Sequence, residues 1–230
     1  MSSDLFVVEY VDKVKEIFEK NRNDKKAVKM KKYMRNKFEF YGIQAIKRRE
    51  LSSNLQKKEN RLNPSQLNRV VMKLWSEDER ELHYFAMELL ERYKNEFRIK
   101  DIKLMVHIIK NKSWWDTVDF IAKKLIGEYF NKHPKYRHEY IKKWIRSNNI
   151  WLQRTTLIFQ LAYKDSTEQD ILFSNIKKLK DIDDFFIQKA IGWALREYSK
   201  IEPNEVEKFI NNIELSNLSK REGLKQISKK

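Results

Sequence analysis

Apolar residues recur at helical spacing along almost the whole chain. Leu82, Phe85, Leu89, Leu90 and Tyr93 fall on one stripe, and Val118, Ile121, Leu125, Ile126 and Tyr129 on another. Such spacing gives a helix one apolar face, whereas a half-buried strand would alternate strictly. Capping signals stand before these stripes. Ser76 with Glu79, Ser113 with Asp116, and the run Asp165-Ser166-Thr167-Glu168 each predict a helix start. Asn63-Pro64, His133-Pro134 and Glu202-Pro203 place proline where a first helical turn tolerates it. Asp181-Ile182-Asp183-Asp184 precedes an apolar helical run and predicts an N-terminal cap rather than a metal site. The pattern predicts roughly a dozen helices joined by short links, and no strand.

The stripes also repeat. Four segments overlay without gaps: Leu82 to Tyr93, Val118 to Tyr129, Leu152 to Tyr163 and Ile187 to Tyr198. Their starts differ by 36, 34 and 35 residues, and each ends in tyrosine. The prolines at 64, 134 and 203 are spaced by 70 and 69, twice that period to within two residues. A helix pair of this length cannot bury its apolar face alone and must stack on its neighbours. The expected fold is all-α: a curved α-solenoid of HEAT-like repeats with a concave binding cleft. It is expected as a single domain over 1–230, with capping helices over about 1–60, repeats over about 61–215 and a basic C-terminal helix or tail over about 216–230 that frays.

The register separates core from other positions. The shared apolar positions are the first, fourth, fifth, eighth and twelfth of each repeat helix. At ~100° per residue they occupy one arc. Asp119 sits near the edge of that arc, while Arg154 and Trp193 lie well off it. Trp115, four residues before Asp119, shares its helix face. Taken singly, each has an ordinary reading: Asp119 paired with Lys123, Arg154 solvated, Trp193 packed against a neighbouring repeat. Together, two indoles, a carboxylate and a guanidinium on three successive repeats can converge on one patch.

Composition narrows the partner. Against 33 Asp and Glu stand 49 Lys and Arg, a net charge of +16, which calls for a polyanion. Zero cysteines exclude disulfides, thiol nucleophiles and Cys-based zinc sites. The four histidines have no metal-binding spacing, and the scattered glycines form no phosphate loop. Met1-Ser2-Ser3-Asp4 lacks the basic-then-apolar design of a signal peptide, and no long apolar run suggests a membrane span. A cytoplasmic monomer (bacterial cytosol or nucleoid) without cofactor or metal is expected, and the Lys-, Asn- and Ile-rich composition points to an AT-rich bacterial genome.

Four stretches carry a resemblance. They are 29–43 (Lys-Met-Lys-Lys-Tyr-Met-Arg-Asn-Lys-Phe-Glu-Phe-Tyr-Gly-Ile), 113–119 (Ser-Trp-Trp-Asp-Thr-Val-Asp), 151–154 (Trp-Leu-Gln-Arg) and 190–196 (Ala-Ile-Gly-Trp-Ala-Leu-Arg). In these the chain resembles the AlkD-type DNA alkylation-repair glycosylases, built from HEAT-like repeats. The resemblance implies that Asp119 is the catalytic carboxylate, that Trp115 and Trp193 are the cleft tryptophans and that Arg154 grips a phosphate. It also implies that Tyr33 and Arg196 contact DNA. The implied activity is base excision repair: hydrolysis of the N-glycosidic bond of cationic purines alkylated at N3 or N7, such as 3-methyladenine and 7-methylguanine, in double-stranded DNA. The alternatives are a catalytically silent HEAT-like protein that binds unusual or branched DNA, and a protein-binding scaffold.

Overall fold

The computed structural model describes residues 3–57 and 60–227. Met1 and Ser2, and the last residues of the basic tail, 228–230, lie outside them. Among the described residues the chain is all-helical, as the periodicity predicts, apart from one isolated parallel bridge between Glu39 and Glu79. It divides into two compact units, Met1–Tyr93 and Lys94–Lys230.

The first unit contains α1 (Ser3–Glu19), α2 (Asp24–Tyr33), α3 (Ala45–Ser52), α4 (Pro64–Ser76) and α5 (Arg80–Glu91). Val7, Val11, Val14 and Phe18 form the buried stripe of α1, and α4 packs against it with Val70, Val71 and Leu74. Asn63 and Gln66 close a full capping box at the start of α4, with Pro64 in the first turn. Such a box satisfies two backbone donors that the helix itself leaves open. The Ser76 signal is not used as expected. The apolar stripe carries α4 through Ser76, whose hydroxyl donates to the Lys73 carbonyl, and α5 starts at Arg80.

Glu81, just before the repeat register, holds the first unit's main turn. Its buried carboxylate accepts the N–H groups of Tyr41, Gly42 and Ile43 at 3.1, 2.8 and 2.9 Å. Burial pushes this carboxyl above the usual glutamate range, against the pull of those three donors. Gly42 has φ +83°, and a Cβ there would lie 2.1 Å from the Asn23 carbonyl oxygen. Both the backbone conformation and the space therefore demand glycine. Gly42→Ala is expected to destabilise the first unit by about 2–4 kcal/mol, measurable as a lower urea midpoint.

The second unit contains α6 (Ile102–Lys110), α7 (Trp115–Phe120), a π-helical turn (Ile121–Ile126) and α8 (Gly127–Lys132). It continues with α9 (Pro134–Ile145), α10 (Ile150–Ile158), α11 (Gln169–Leu179), α12 (Phe185–Tyr198), α13 (Pro203–Asn211) and α14 (Asn217–Leu224). Pro134 and Pro203 open their helices, and the Asp184 carboxylate caps α12 by accepting from Phe186 and Ile187. The run Asp165–Glu168 stands directly before α11 as expected, although Glu168 pairs with Arg137 and supplies no side-chain cap. The Ser113 start differs: its hydroxyl reaches back to the Ile109 carbonyl, leaving α7 to open at Trp115.

All shared repeat positions in this unit are buried except Tyr163, which is half-buried; in α10 two of them are Thr155 and Thr156. The terminal tyrosines act as staples. Tyr129 donates its hydroxyl to the Ile99 carbonyl at 3.0 Å, Tyr163 to the Gly127 carbonyl at 2.7 Å, and Tyr198 to the Gln169 side chain at 3.1 Å. Gly127 ends the π turn with the Phe159 carbonyl so close that a Cβ would lie 2.7 Å from it, so the α10 segment comes close to the backbone there. Within the stretch expected as a basic C-terminal helix or tail, Asn217–Leu224 forms α14, which packs along α12 because Gly192 leaves room for its backbone.

Candidate functional site

Three successive repeats of the second unit contribute to one cluster. Trp115 begins α7, and Asp119 follows one turn later, two residues before the π turn. Asn149 caps α10 by accepting from Trp151 and Leu152, which places Arg154 in the second turn. The guanidinium of Arg154 then reaches across the gap between repeats. Its Nε donates to Oδ1 of Asp119 at 2.7 Å and its Nη2 to Oδ2 at 2.8 Å, a fork-on-carboxylate pair. Its Nη1 donates to the backbone carbonyl of Phe186 in the first turn of α12. One side chain thereby ties α7, α10 and α12 together.

The expected surroundings of two residues change. Asp119 pairs with Arg154 from the next repeat rather than with Lys123 on its own helix. Arg154 is 3% exposed rather than a solvated charge off the apolar arc, because the space between stacked repeats lies off that arc too. The phosphate grip that the resemblance implies therefore meets a guanidinium already turned onto a carboxylate. Asp119 keeps 17% of its side-chain surface open. Burial pushes its carboxyl above the usual aspartate range, the Arg154 fork pulls it down, and Asp116 pushes it up further.

The same three repeats also supply an aromatic cluster. Trp114 packs on Trp151 and Phe186 with ring centroids 5.8 and 5.0 Å away, and Trp151 meets Phe186 at 4.9 Å. Interlocked rings of this kind make a stiff unit, each contact adding about 0.5–1.5 kcal/mol beyond burial. Periodicity alone assigns Trp114, Trp151 and Phe186 no role. A signal was present, since Trp151 and Phe186 both stand one place before the first repeat position.

Trp115 and Trp193 are half-buried. Trp193 packs against the apolar core of the second unit, so the structural reading of that residue holds as far as its buried edge. Arg196, one turn further along α12, donates to Glu222 of α14 at 3.1 Å. Tyr33 ends α2 in the first unit and is 70% exposed. Two grooves lie elsewhere in the second unit: one of 540 Å³ between α9 and α11, and one of 440 Å³ bordered by Lys123, Lys164 and Lys200. Neither is lined by Asp119, Trp115 or Trp193. Among the described residues, no group of three or more His, Asp or Glu is placed to hold a metal, and no helix is long and apolar enough to cross a membrane.

Comparison with known proteins gives a consistent answer. The chain matches the family described as DNA alkylation repair enzyme over residues 14–227. It is similar to the structure of a predicted DNA alkylation repair enzyme from Enterococcus faecalis, with 33% identity and a TM-score of 0.85, covering 91% of this chain and 98% of that one. A more distant likeness, to smu.31 from Streptococcus mutans UA159, has 18% identity and a TM-score of 0.58 over 77% of this chain and 94% of that one, and bears on the fold alone. No curated protein sequence matches. With a match that spans nearly its whole length, the chain belongs to the DNA alkylation repair enzyme family.

Proposed function

We propose that this protein is a monofunctional DNA glycosylase that excises cationic N3- and N7-alkylated purines from duplex DNA and leaves an abasic site. The observation that carries the reading is the pairing of the half-buried Asp119 with Arg154 across two repeats, one turn after the half-buried Trp115, in a chain of net charge +16. A base alkylated at N3 or N7 already bears positive charge and leaves without a general acid. The barrier then lies in the oxocarbenium-like charge that develops on the deoxyribose. A fixed carboxylate at that sugar stabilises the charge, and it can orient or deprotonate the attacking water. Trp115 and Trp193 offer electron-rich faces to the sugar and the cationic base, at about 0.5–2 kcal/mol per contact.

Arg154 has two tasks in this reading. In the free protein its fork holds Asp119 ionised and aimed. On DNA, one of its nitrogens can turn to the phosphate beside the lesion. Lys and Arg along the surface, with Tyr33 and Arg196, meet the backbone and make binding steeply salt-dependent. The protein would act as a monomer without cofactor or metal, in the cytosol or nucleoid of a bacterium.

The test incubates the protein with duplex DNA carrying a single 7-methylguanine. Mass spectrometry should detect the free base, and the strand should break only after alkaline treatment of the abasic site. Borohydride should trap no protein–DNA adduct, since none of the assigned roles is an amine nucleophile. A silent DNA-binding relative would retain the duplex and release nothing.

A further inference from the structure

The chain has a second concentration of charge beside Trp193, of which the roles above use Arg196 alone and leave Lys189, Lys225 and Glu222 without one. Lys189 and Trp193 stand four residues apart on α12, and Trp193 and Arg196 three apart. Residues at those spacings share a helix face, so the indole is flanked by a cation on either side. Between them sits Gly192, where a Cβ would lie 2.4 Å from Cβ of Glu222 and 3.0 Å from the Ser219 carbonyl oxygen. The missing side chain lets α14 lie against the α12 backbone, and the Ser219 hydroxyl secures it by donating to the Gln188 carbonyl at 2.8 Å. Glu222 is thereby delivered beneath the two cations.

Three cations converge on that one carboxylate. Lys189 Nζ lies 3.0 Å from Glu222, Arg196 Nη1 3.1 Å, and Lys225 Nζ 2.5 Å. The hydrogen bond from Lys225, with help from Lys189, holds the Glu222 carboxyl down at about 2, so it stays charged across the working range. One cation would suffice to neutralise a buried carboxylate, and the Gly192 and Ser219 contacts already dock the helix. The surplus points outward. Glu222 has 4% of its side-chain surface exposed, against 40% for Lys189, 30% for Arg196 and 47% for Lys225. Solvent therefore meets three positive groups spaced by a negative one that it cannot reach.

We propose that Lys189, Arg196 and Lys225 form a phosphodiester-binding site at the α12–α14 edge, and that Glu222 is the positioning residue that spaces them. The site seats backbone phosphates of the DNA next to the nucleotide at Trp193, and it makes the C-terminal helix part of the DNA interface. The proposal rests on the glycosylase reading above in taking DNA as the polyanion and Trp193 as facing it.

The double variant Lys189→Ala/Lys225→Ala tests it by the salt dependence of duplex binding, measured by fluorescence anisotropy. Each phosphate contact contributes about 0.9 to the slope of log K against log salt. The double variant is expected to lower that slope by roughly 1.8. Lys142→Ala/Lys178→Ala, which removes the same charge from the α9–α11 groove, should leave the slope at the wild-type value. An unchanged slope in the first variant, or an equal fall in the second, overturns the site. Thermal melting of both variants shows whether α14 stays docked, and a fall in slope that appears only with loss of the fold also counts against it. Wild-type protein that fails to retain duplex DNA even at low salt would sink the DNA reading itself, a result distinct from failure of this site.

Discussion

Asp119→Asn is expected to lower the single-turnover rate of 7-methylguanine release by about 10²-fold or more, the scale of removing one preorganised charge from a transition state. The amide fills the same space and still accepts from the Arg154 fork through one oxygen, so the fold and DNA binding should change little. The effect should fall on the chemical step alone. The wild-type profile gives a second check. Because burial raises the Asp119 carboxyl, its ionised form is lost at a higher pH than for an exposed aspartate. Base release should therefore decline on the acid side with an apparent pKa above the ordinary aspartate range, and the Asn variant should lack that limb. Equal rates for the two proteins would remove Asp119 from the mechanism.

Arg154→Ala should act through Asp119 as much as through DNA. Removing the fork leaves a buried carboxylate beside Asp116 with its main counter-charge gone, and the Phe186 carbonyl loses its donor. Breaking one side of a buried pair typically costs about 3–5 kcal/mol of stability. The acid limb should move to higher pH, because both contributions of Arg154 pull the Asp119 carboxyl down. At neutral pH the rate should then fall by roughly 10-fold or more, part of it recovered on raising the pH. Arg154→Lys keeps the charge but not the two parallel donors, so it should fold and show a smaller shift in the same direction. A guanidinium that only grips phosphate predicts something else: a salt slope reduced by about one contact and no displacement of the acid limb.

Repetition made the helices legible, and the register carried burial with it. Val118, Ile121, Ala122 and Leu125 needed no tertiary knowledge to be placed in a core. The same logic failed at Arg154. A register built on one apolar arc takes every other direction for solvent, yet stacked repeats bury a second face against one another. Caps were legible where geometry leaves little choice, as at Asn63-Pro64 and Asp184. They were not where a serine could turn its hydroxyl back into the preceding helix, as Ser76 and Ser113 do. Glu81 and Glu222 escaped notice for a different reason. A carboxylate reads as surface in any linear pattern, and only the turn at Gly42 and the gap at Gly192 bring buried partners to them.

The tyrosine staples set how this site can come into being. Tyr129, Tyr163 and Tyr198 each bond a partner 30, 36 or 29 residues earlier, and Arg154 lies 35 residues from Asp119. Every one of these links spans about one repeat period, so order can spread down the second unit one step at a time, with short loops to close. The carboxylate, its guanidinium and the carbonyl that receives the third donor sit on three consecutive steps of that spread. A chain truncated or unravelled at α12 would keep most of its helices and still lose the anchor for Arg154. On the proposed function, base release would therefore require completed stacking, and it should be lost in partial unfolding well before helix content is.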